Sequence, residues 1–434
     1  MRLLPRLDLT ALDDLPLDPS TKGLPFDAPY LRIGDVAAQG WNVLRGDLPL
    51  PLAVIRQDIV AANSAWMGAF TAANDLLIAP HGKTTMSPFL FDLQLADGAW
   101  AMTVATVQQL GVCVRFGVKR VLLANQPVGA QAIDACFRAL HSSDGFELYC
   151  LADGQDGIAM LAEGARLNPP PAGNPLRVLV EIGFIGGRTG ARSIEAAMEL
   201  ARIVAATEGL ALGGFECFEG LLPSPEAADG LIDDVAMLSR LALDEGLLPD
   251  DGPIVLSAGG SSFFDRVGER FGRVNFERPV LRVLRSGCYL THDSLGYAAA
   301  FHRILDETTL HLPPGGLEAA LEVWAHVQSR PENGRTMLTL GKRDISYDAG
   351  MPVPLRWYRP DGTMTAPAPM PAGHEVVALN DQHCHLVTPA DSPLKPGDMV
   401  AFGIGHPCTT FDKWSLLMLV DPDYRVTGAI KTFF

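Results

Sequence analysis

Between residues 75 and 290 the chain repeats one rhythm, a short apolar run followed by a stretch with helical spacing. The runs are "DLLIAPHGK" (75–83), "GAWAMTVAT" (98–106), "KRVLLANQ" (119–126) and "FELYCLAD" (146–153). They continue with "LRVLVEIGF" (176–184), "LGGFECFEG" (212–220), "GPIVLSAGG" (252–260) and "PVLRVLRSGCYL" (279–290). Amphipathic stretches such as "SIEAAMELARIVAATEG" and "LIDDVAMLSRLALDEG" lie between them. Strands that alternate with helices pair in parallel. Eight of them fit a closed (β/α)8 barrel, with an open doubly wound sheet as the alternative.

At 434 residues the chain exceeds what one ordinary core organises. Residues 1–56 read as an irregular, Pro-, Asp- and Leu-rich arm. It ends in the strand "PLPLAVIR", which precedes the barrel count and is expected to join a later sheet. Residues 57–305 form the expected barrel. In residues 306–434 the texture changes: "LEVWAHVQSR", "RTMLTLGKRD", "HEVVALNDQHCHLV", "GDMVAFGIGH" and "SLLMLVD" are short strands between Pro, Gly and Asp turns. Helical spacing is absent there, so this part reads as a β domain. The predicted fold class is α/β, an N-terminal (β/α)8 TIM barrel with a C-terminal β domain.

Hydrophobic residues make up 48% of the chain, enough for a packed interior, and the net charge is −16. With no basic stripe, that charge argues against nucleic acid or an anionic membrane surface as partner. No apolar run reaches membrane-spanning length, and "MRLLPRLDLTALDDLP" lacks the apolar core of a secretory signal. The cysteines, Cys113, Cys136, Cys150, Cys217, Cys288, Cys384 and Cys408, are odd in number and scattered. They read as thiols of a cytoplasmic protein, so a Cys384–Cys408 disulfide is not expected.

Three signals fall at the C-terminal ends of barrel strands, where such barrels place their sites. Lys83 ends the first strand, "SAGGSS" (Ser257–Ser262) the seventh and "RSGCY" (Arg285–Tyr289) the eighth. Loops after strands seven and eight often hold a phosphate. Glycines Gly259, Gly260 and Gly287 let backbone N–H groups approach an anion, and Ser261 or Ser262 adds hydroxyl donors. Taken alone, either loop is an ordinary turn, and Lys83 alone is an ordinary surface lysine. Together they pair an amine nucleophile with a phosphate site, the two features that pyridoxal 5′-phosphate requires. "VEIGFIGGRTG" adds Arg188 after the fifth strand, whose planar fork suits the cofactor ring or its phenolic oxygen. In the β domain, His406 and Cys408 of "GIGHPCTTF" share one face if extended, as two metal ligands would. "NDQHCHL" offers Asp381, His383, Cys384 and His385 to complete a metal shell or to act as acid and base.

The ordered set "PHGKTTMSP", "VEIGFIGGRTG", "GGFECFEG", "SAGGSS", "RSGCY", "NDQHCHL" and "GIGHPC" resembles the D-serine dehydratase and D-threonine aldolase family. These are fold-type III pyridoxal phosphate proteins of alanine-racemase-like architecture, and the resemblance spans residues 50 to 415. It implies that Lys83 is the Schiff-base lysine and that Arg188 lies beside the cofactor ring. It implies phosphate-binding loops at Gly259, Gly260 and Ser261, with Gly287 and Cys288; Ser257 and Tyr289, in the same runs, are further candidates for cofactor binding. It places the metal on His406 and Cys408, with zinc favoured by the thiolate over manganese or magnesium; Asp381 and His383 are candidates for substrate contact or acid–base work. It also implies a homodimer. Departures are Phe218 in place of a common tyrosine, Asn380-Asp381-Gln382 in place of Ser-Glu-Glu, and Gly405 in place of asparagine. The N-terminal arm and "GWNVLRGDLPLPLAV" look like a bacterial subgroup labelled amino acid deaminase.

The expected activity is a pyridoxal phosphate- and metal-dependent dehydration of β-hydroxy D-amino acids such as D-serine or D-threonine, giving a 2-oxo acid and ammonia. An aldolase cleaving Cα–Cβ to glycine and an aldehyde is one alternative, and a non-catalytic carrier of the cofactor is another.

Overall fold

The computed structural model describes residues 4–250 and 252–434. Eight parallel strands form one sheet: Leu77–Ile78, Met102–Val104, Arg120–Leu123, Glu147–Ala152, Leu176–Ile182, Leu210–Cys217, Ile254–Ala258 and Val280–Leu284, called barrel strands 1 to 8. Strand 1 lies beside strand 8, and the order then descends from 8 to 2. The ring closes between strands 1 and 2, where Trp100 N donates to Ile78 O at 2.7 Å and His81 bridges Thr103 in parallel. The barrel is therefore closed, and the open doubly wound sheet is excluded.

Strand alternation explains why it closes around a packed interior. Leu122, Tyr149, Leu151, Leu179, Val255 and Val283, spaced two apart where they share a strand, form one buried cluster with Ala79, Trp100 and Ala101. Their neighbours of opposite phase, such as Val121, Cys150, Val178, Val180 and Leu256, belong to the larger core under the helices. Helix starts follow the local sequence. Ser193 Oγ accepts from Ala196 N at 3.1 Å, and Ser224 Oγ accepts from Ala227 N at 3.3 Å with Pro225 in the first turn.

The second sheet is built on Leu321–Glu332, which pairs antiparallel with Met399–Gly403 on one side and with Leu52–Arg56 on the other. Leu52–Arg56 also pairs in parallel with Leu416–Val420. Residues preceding it tie the two parts of the chain. Leu7 N donates to Asp92 Oδ1 of the barrel helix Pro88–Ala96 at 2.8 Å. Lys22 Nζ pairs with buried Asp344 at 2.7 Å and lies 3.7 Å from the centre of the Trp414 ring.

Candidate active site

A cavity of about 390 Å³ opens at the C-terminal ends of the barrel strands, and the turn carrying His406 and Cys408 closes one side of it. Lys83 lines it from the tight turn Gly82–Thr84 that follows strand 1. Two glycines make that turn possible. A Cβ on Gly82 would stand 2.9 Å from the Phe91 ring, and one on Gly287 would stand 2.6 Å from His81 O. His81 beside the lysine is held well below its ordinary pKa by burial first, then by the charges of Lys83, Arg285 and Arg188. It is a neutral imidazole whose buried Nδ1 has no partner among the described residues.

Arg188 reaches the cavity from the loop after strand 5, with its guanidinium carbon 4.8 Å from the centre of the Phe218 ring. Arg192 braces that glycine-rich loop by donating to the carbonyls of Gly187 (2.8 Å), Thr189 (2.5 Å) and Gly190 (2.9 Å).

The floor under strands 6 to 8 is a buried charged cluster. Arg285 donates to Ser257 Oγ at 2.8 Å and to Cys217 O at 3.0 Å, and its Nη2 is 2.5 Å from Glu216 Oε2. Burial pushes Glu216 up to about 8; Arg285 opposes that shift, and nearby Glu181 and Glu219 reinforce it. Glu219 accepts from Gly259 N (2.9 Å) and Gly260 N (2.5 Å), one oxygen to each amide. This corrects an expectation from the sequence. The two glycine amides hold the chain's own carboxylate, because a carboxylate buried at that depth needs donors. Ser261, Ser262, Gly287 and Cys288 line the cavity as well.

From the β domain, His406 and Cys408 face the same cavity. His406 Nδ1 lies 2.6 Å from Asp348 Oδ2, and Thr409 Oγ1 donates to Asp348 Oδ1 at 2.7 Å. Cys408 Sγ stands 3.4 Å from Thr84 Oγ1 and 3.9 Å from Cys288 Sγ. Cys288 first, with His406 beside it, holds the Cys408 thiol well below its ordinary pKa, whereas Cys408 and burial push Cys288 up. A thiolate beside an imidazole whose other nitrogen is held by a carboxylate is the donor chemistry of a zinc site. Among the described residues no group of three His, Cys, Asp or Glu side chains is placed to hold a metal ion.

Four expected residues lie elsewhere. Ser257 is turned under the cavity floor, where its Oγ donates to Val283 O at 3.1 Å and receives Arg285. Tyr289 points into the packing against helix Pro88–Ala96, its hydroxyl accepting from Gln94 Nε2 at 3.1 Å. Tyr297, from the helix Gly296–Glu307, lines the cavity instead. Asp381 pairs with Arg343 at 3.3 Å and His383 is exposed; neither borders the cavity within this chain. Glu216, Glu219, Arg285 and Asp348 were not singled out by motif reading. The first three sit inside runs that signalled strands, and two acids three apart at a strand end were the available clue.

The cavity fits pyridoxal phosphate by its size, by the lysine at its rim and by unpartnered buried polar atoms on His81, Glu216 and Arg285. Comparison with known proteins agrees. Residues 320–420 match the family described as "Putative serine dehydratase domain". The 3-hydroxy-D-aspartate aldolase of Paracoccus denitrificans is 26% identical over 316 residues, covering 70% of this chain and 75% of the relative. Among solved structures, the D-threonine aldolase from Filomicrobium marinum superposes with a TM-score of 0.72 at 22% identity, covering 91% of this chain and 97% of that one. The D-threo-3-hydroxyaspartate dehydratase from Delftia sp. HT23 gives 0.68 at 18% identity, covering 90% and 99%. Residues 320–420 thus match the serine dehydratase family model, the whole chain shares the alanine-racemase-like fold of these structures, and the ordered motifs from Lys83 to Cys408 resemble the D-serine dehydratase and D-threonine aldolase family.

Proposed function

We propose that this lyase eliminates water from β-hydroxy D-amino acids, such as D-serine, D-threonine or 3-hydroxy-D-aspartate, releasing a 2-oxo acid and ammonia. The observation that carries the reading is that Lys83, Arg188, His406 and Cys408, drawn from both parts of the chain, face one cavity.

When bound, pyridoxal phosphate supplies an electron sink for charge at the substrate Cα, and a zinc ion supplies a Lewis acid for the β-oxygen. Lys83 is the residue that would hold the cofactor aldehyde, and its Nζ, lining the cavity, would take the substrate Cα proton. Arg188, which lines the same cavity, would donate to the phenolic oxygen. The loops at Ser261, Ser262, Gly287 and Cys288 receive the phosphate, since the Gly259 and Gly260 amides are engaged by Glu219. His406 and Cys408 hold the metal, and Asp348 fixes the tautomer and orientation of His406. Neutral His81 adds no positive charge beside Lys83.

The aldolase reading uses the same lysine and metal, and the relative from Paracoccus denitrificans bears that name. The His406–Cys408 pair, which resembles the metal pair of the zinc-dependent dehydratases, supports the dehydratase reading. Incubation with each D-amino acid, with and without chelator, decides between them: 2-oxo acid and ammonia support dehydration, and glycine with an aldehyde overturns it. A bound cofactor with no turnover of any of them leaves a carrier.

The same reading makes the protein a homodimer. Ile185 (91% exposed) and Leu221 (56%), on the loops after strands 5 and 6, and Tyr347 and Met351, beside Asp348, leave an apolar rim for a second copy. Sedimentation equilibrium tests it. Among the described residues no helix is long and apolar enough to cross a membrane, and all seven cysteines are unpaired, in keeping with a reducing compartment.

A further inference from the structure

We infer that Glu216 is the acceptor that faces the ring nitrogen of the cofactor. The inference rests on the pyridoxal phosphate reading above and adds a contact that reading leaves unassigned.

Glu216 ends barrel strand 6, has 0% of its surface exposed and lines the cavity. Neither of its oxygens has a hydrogen-bond partner among the described residues. Arg285 Nη2, at 2.5 Å, balances its charge without presenting an aligned N–H. The Arg285 hydrogens that are aligned go to Ser257 Oγ and Cys217 O. Burial pushes Glu216 up to about 8, so its charged form at neutral pH calls for a donor from whatever fills the cavity.

The order of strands identifies that donor. Around the pyridine ring, starting from the aldehyde-bearing carbon, come the phosphate arm, then the ring nitrogen, then the phenolic oxygen. Around the barrel, starting from strand 1, come strand 8, then 7, 6 and 5. Lys83 follows strand 1, the anion-binding loops follow strands 8 and 7, and Arg188 follows strand 5. Laid in the same sense, the two circles put the ring nitrogen over strand 6. Of the cavity residues at and after that strand, Glu216, Phe218 and Gly220, only Glu216 carries a side-chain acceptor.

Glu216 then holds a proton on the ring nitrogen, N–H donating to the carboxylate, and Arg285 supports the carboxylate from behind. A protonated ring draws more charge from Cα than a neutral one, which suits loss of a β-substituent. The competing arrangement has the unpartnered Arg285 Nε donate to an unprotonated ring nitrogen.

The test binds pyridoxal phosphate labelled with 15N at the ring nitrogen to the full chain and reads that nucleus by NMR. A protonated pyridinium shift is expected in the unaltered protein. Glu216→Gln should move it towards the unprotonated value and weaken cofactor retention at least about tenfold, the equivalent of one charge-assisted hydrogen bond. An unprotonated nitrogen in the unaltered protein overturns the inference by itself, whatever the variant does. An unchanged shift in a folded Glu216→Gln protein also overturns it. A chain that shows no visible absorption band from Lys83-bound cofactor overturns the cofactor reading and this inference together.

Discussion

His406 Nδ1 and Asp348 Oδ2 lie 2.6 Å apart, although 58 residues separate them in the chain. Thr409 donates to the other Asp348 oxygen, so the carboxylate is itself held in place. The pair leaves His406 Nε2 as the nitrogen available to the proposed metal. Replacing Asp348 with Asn or Ala should therefore weaken zinc binding about 10- to 100-fold. Competition with a coloured chelator measures this without any reference to turnover. Unchanged zinc affinity in a folded variant would remove Asp348 from the metal site.

Lys83→Arg keeps a cation of similar length, but an arginine guanidinium stays protonated and does not condense with an aldehyde. The variant should lack the visible absorption of the lysine-bound cofactor. Its turnover should fall by about 10²- to 10⁴-fold from loss of the proton-transferring amine alone. Spectra after addition of excess cofactor and product assays on D-threonine are the two measurements. Full turnover in the variant would exclude Lys83 as the cofactor lysine.

The barrel was legible because each of its strands is a short apolar run set off by a helical stretch, and period two inside the longer runs separates Leu122, Leu151 and Leu179 from the outward core. The first strand was read at 75–83 yet pairs only over Leu77–Ile78, since Pro80 and the Lys83 turn end the ladder. Lys83, Arg188, His406 and Cys408 stood out because each breaks its local texture. Asp348 did not: it lies in an exposed turn, and nothing periodic links it to His406. The glycine loop misled in part. Gly259 and Gly260 looked like free amide donors, and only packing shows that Glu219, some forty residues earlier, already occupies them. The run "RSGCY" ends in Tyr289 at the cavity loop, but the short 3-10 turn Cys288–Leu290 rotates its ring into the core, and Tyr297 takes the cavity side.

Glu219→Gln tests the amide cradle. Glutamine keeps one acceptor but turns its NH2 towards one of the two glycine N–H groups, leaving buried donors face to face. The cost should be about 1–3 kcal/mol of stability, and the cofactor should dissociate faster because the loop after strand 7 loosens. Urea unfolding and cofactor release by gel filtration report the two effects. A stable variant that keeps its cofactor would mean that Glu219 is dispensable to the loop.

Gly287→Ala probes how tightly the loops after strands 1 and 8 meet. The added methyl would stand 2.6 Å from His81 O and 2.8 Å from His81 N, and backbone cannot swing aside as a flexible side chain does. The expected loss is about 1–3 kcal/mol, together with weaker cofactor binding, because the displaced segment carries both His81 and Lys83. A chemical denaturation midpoint equal to that of the unaltered protein would show that the loops have room to part.

Glu269 provides a pH dependence whose sign follows from its partners. It sits on the barrel helix Phe264–Gly272 and accepts from Thr309 N at 2.7 Å, Thr309 Oγ1 at 3.0 Å and Thr308 Oγ1 at 3.1 Å, with Arg266 Nη1 at 3.3 Å. Burial alone raises its pKa, but these donors outweigh burial, and the net shift is downward. The folded pKa therefore lies below the unfolded value of about 4.3. The stability Glu269 contributes is fully present above that value and is lost as pH falls through the lower, folded one. The bonds also fasten the start of the segment leading from the barrel to the second sheet, so acid should loosen that connection early. Urea midpoints measured from pH 6 down to pH 3 should fall less steeply for Glu269→Gln than for the unaltered chain, with the variant the less stable of the two at pH 6. Parallel curves would assign the acid sensitivity to other carboxylates and leave Glu269 without a role in it.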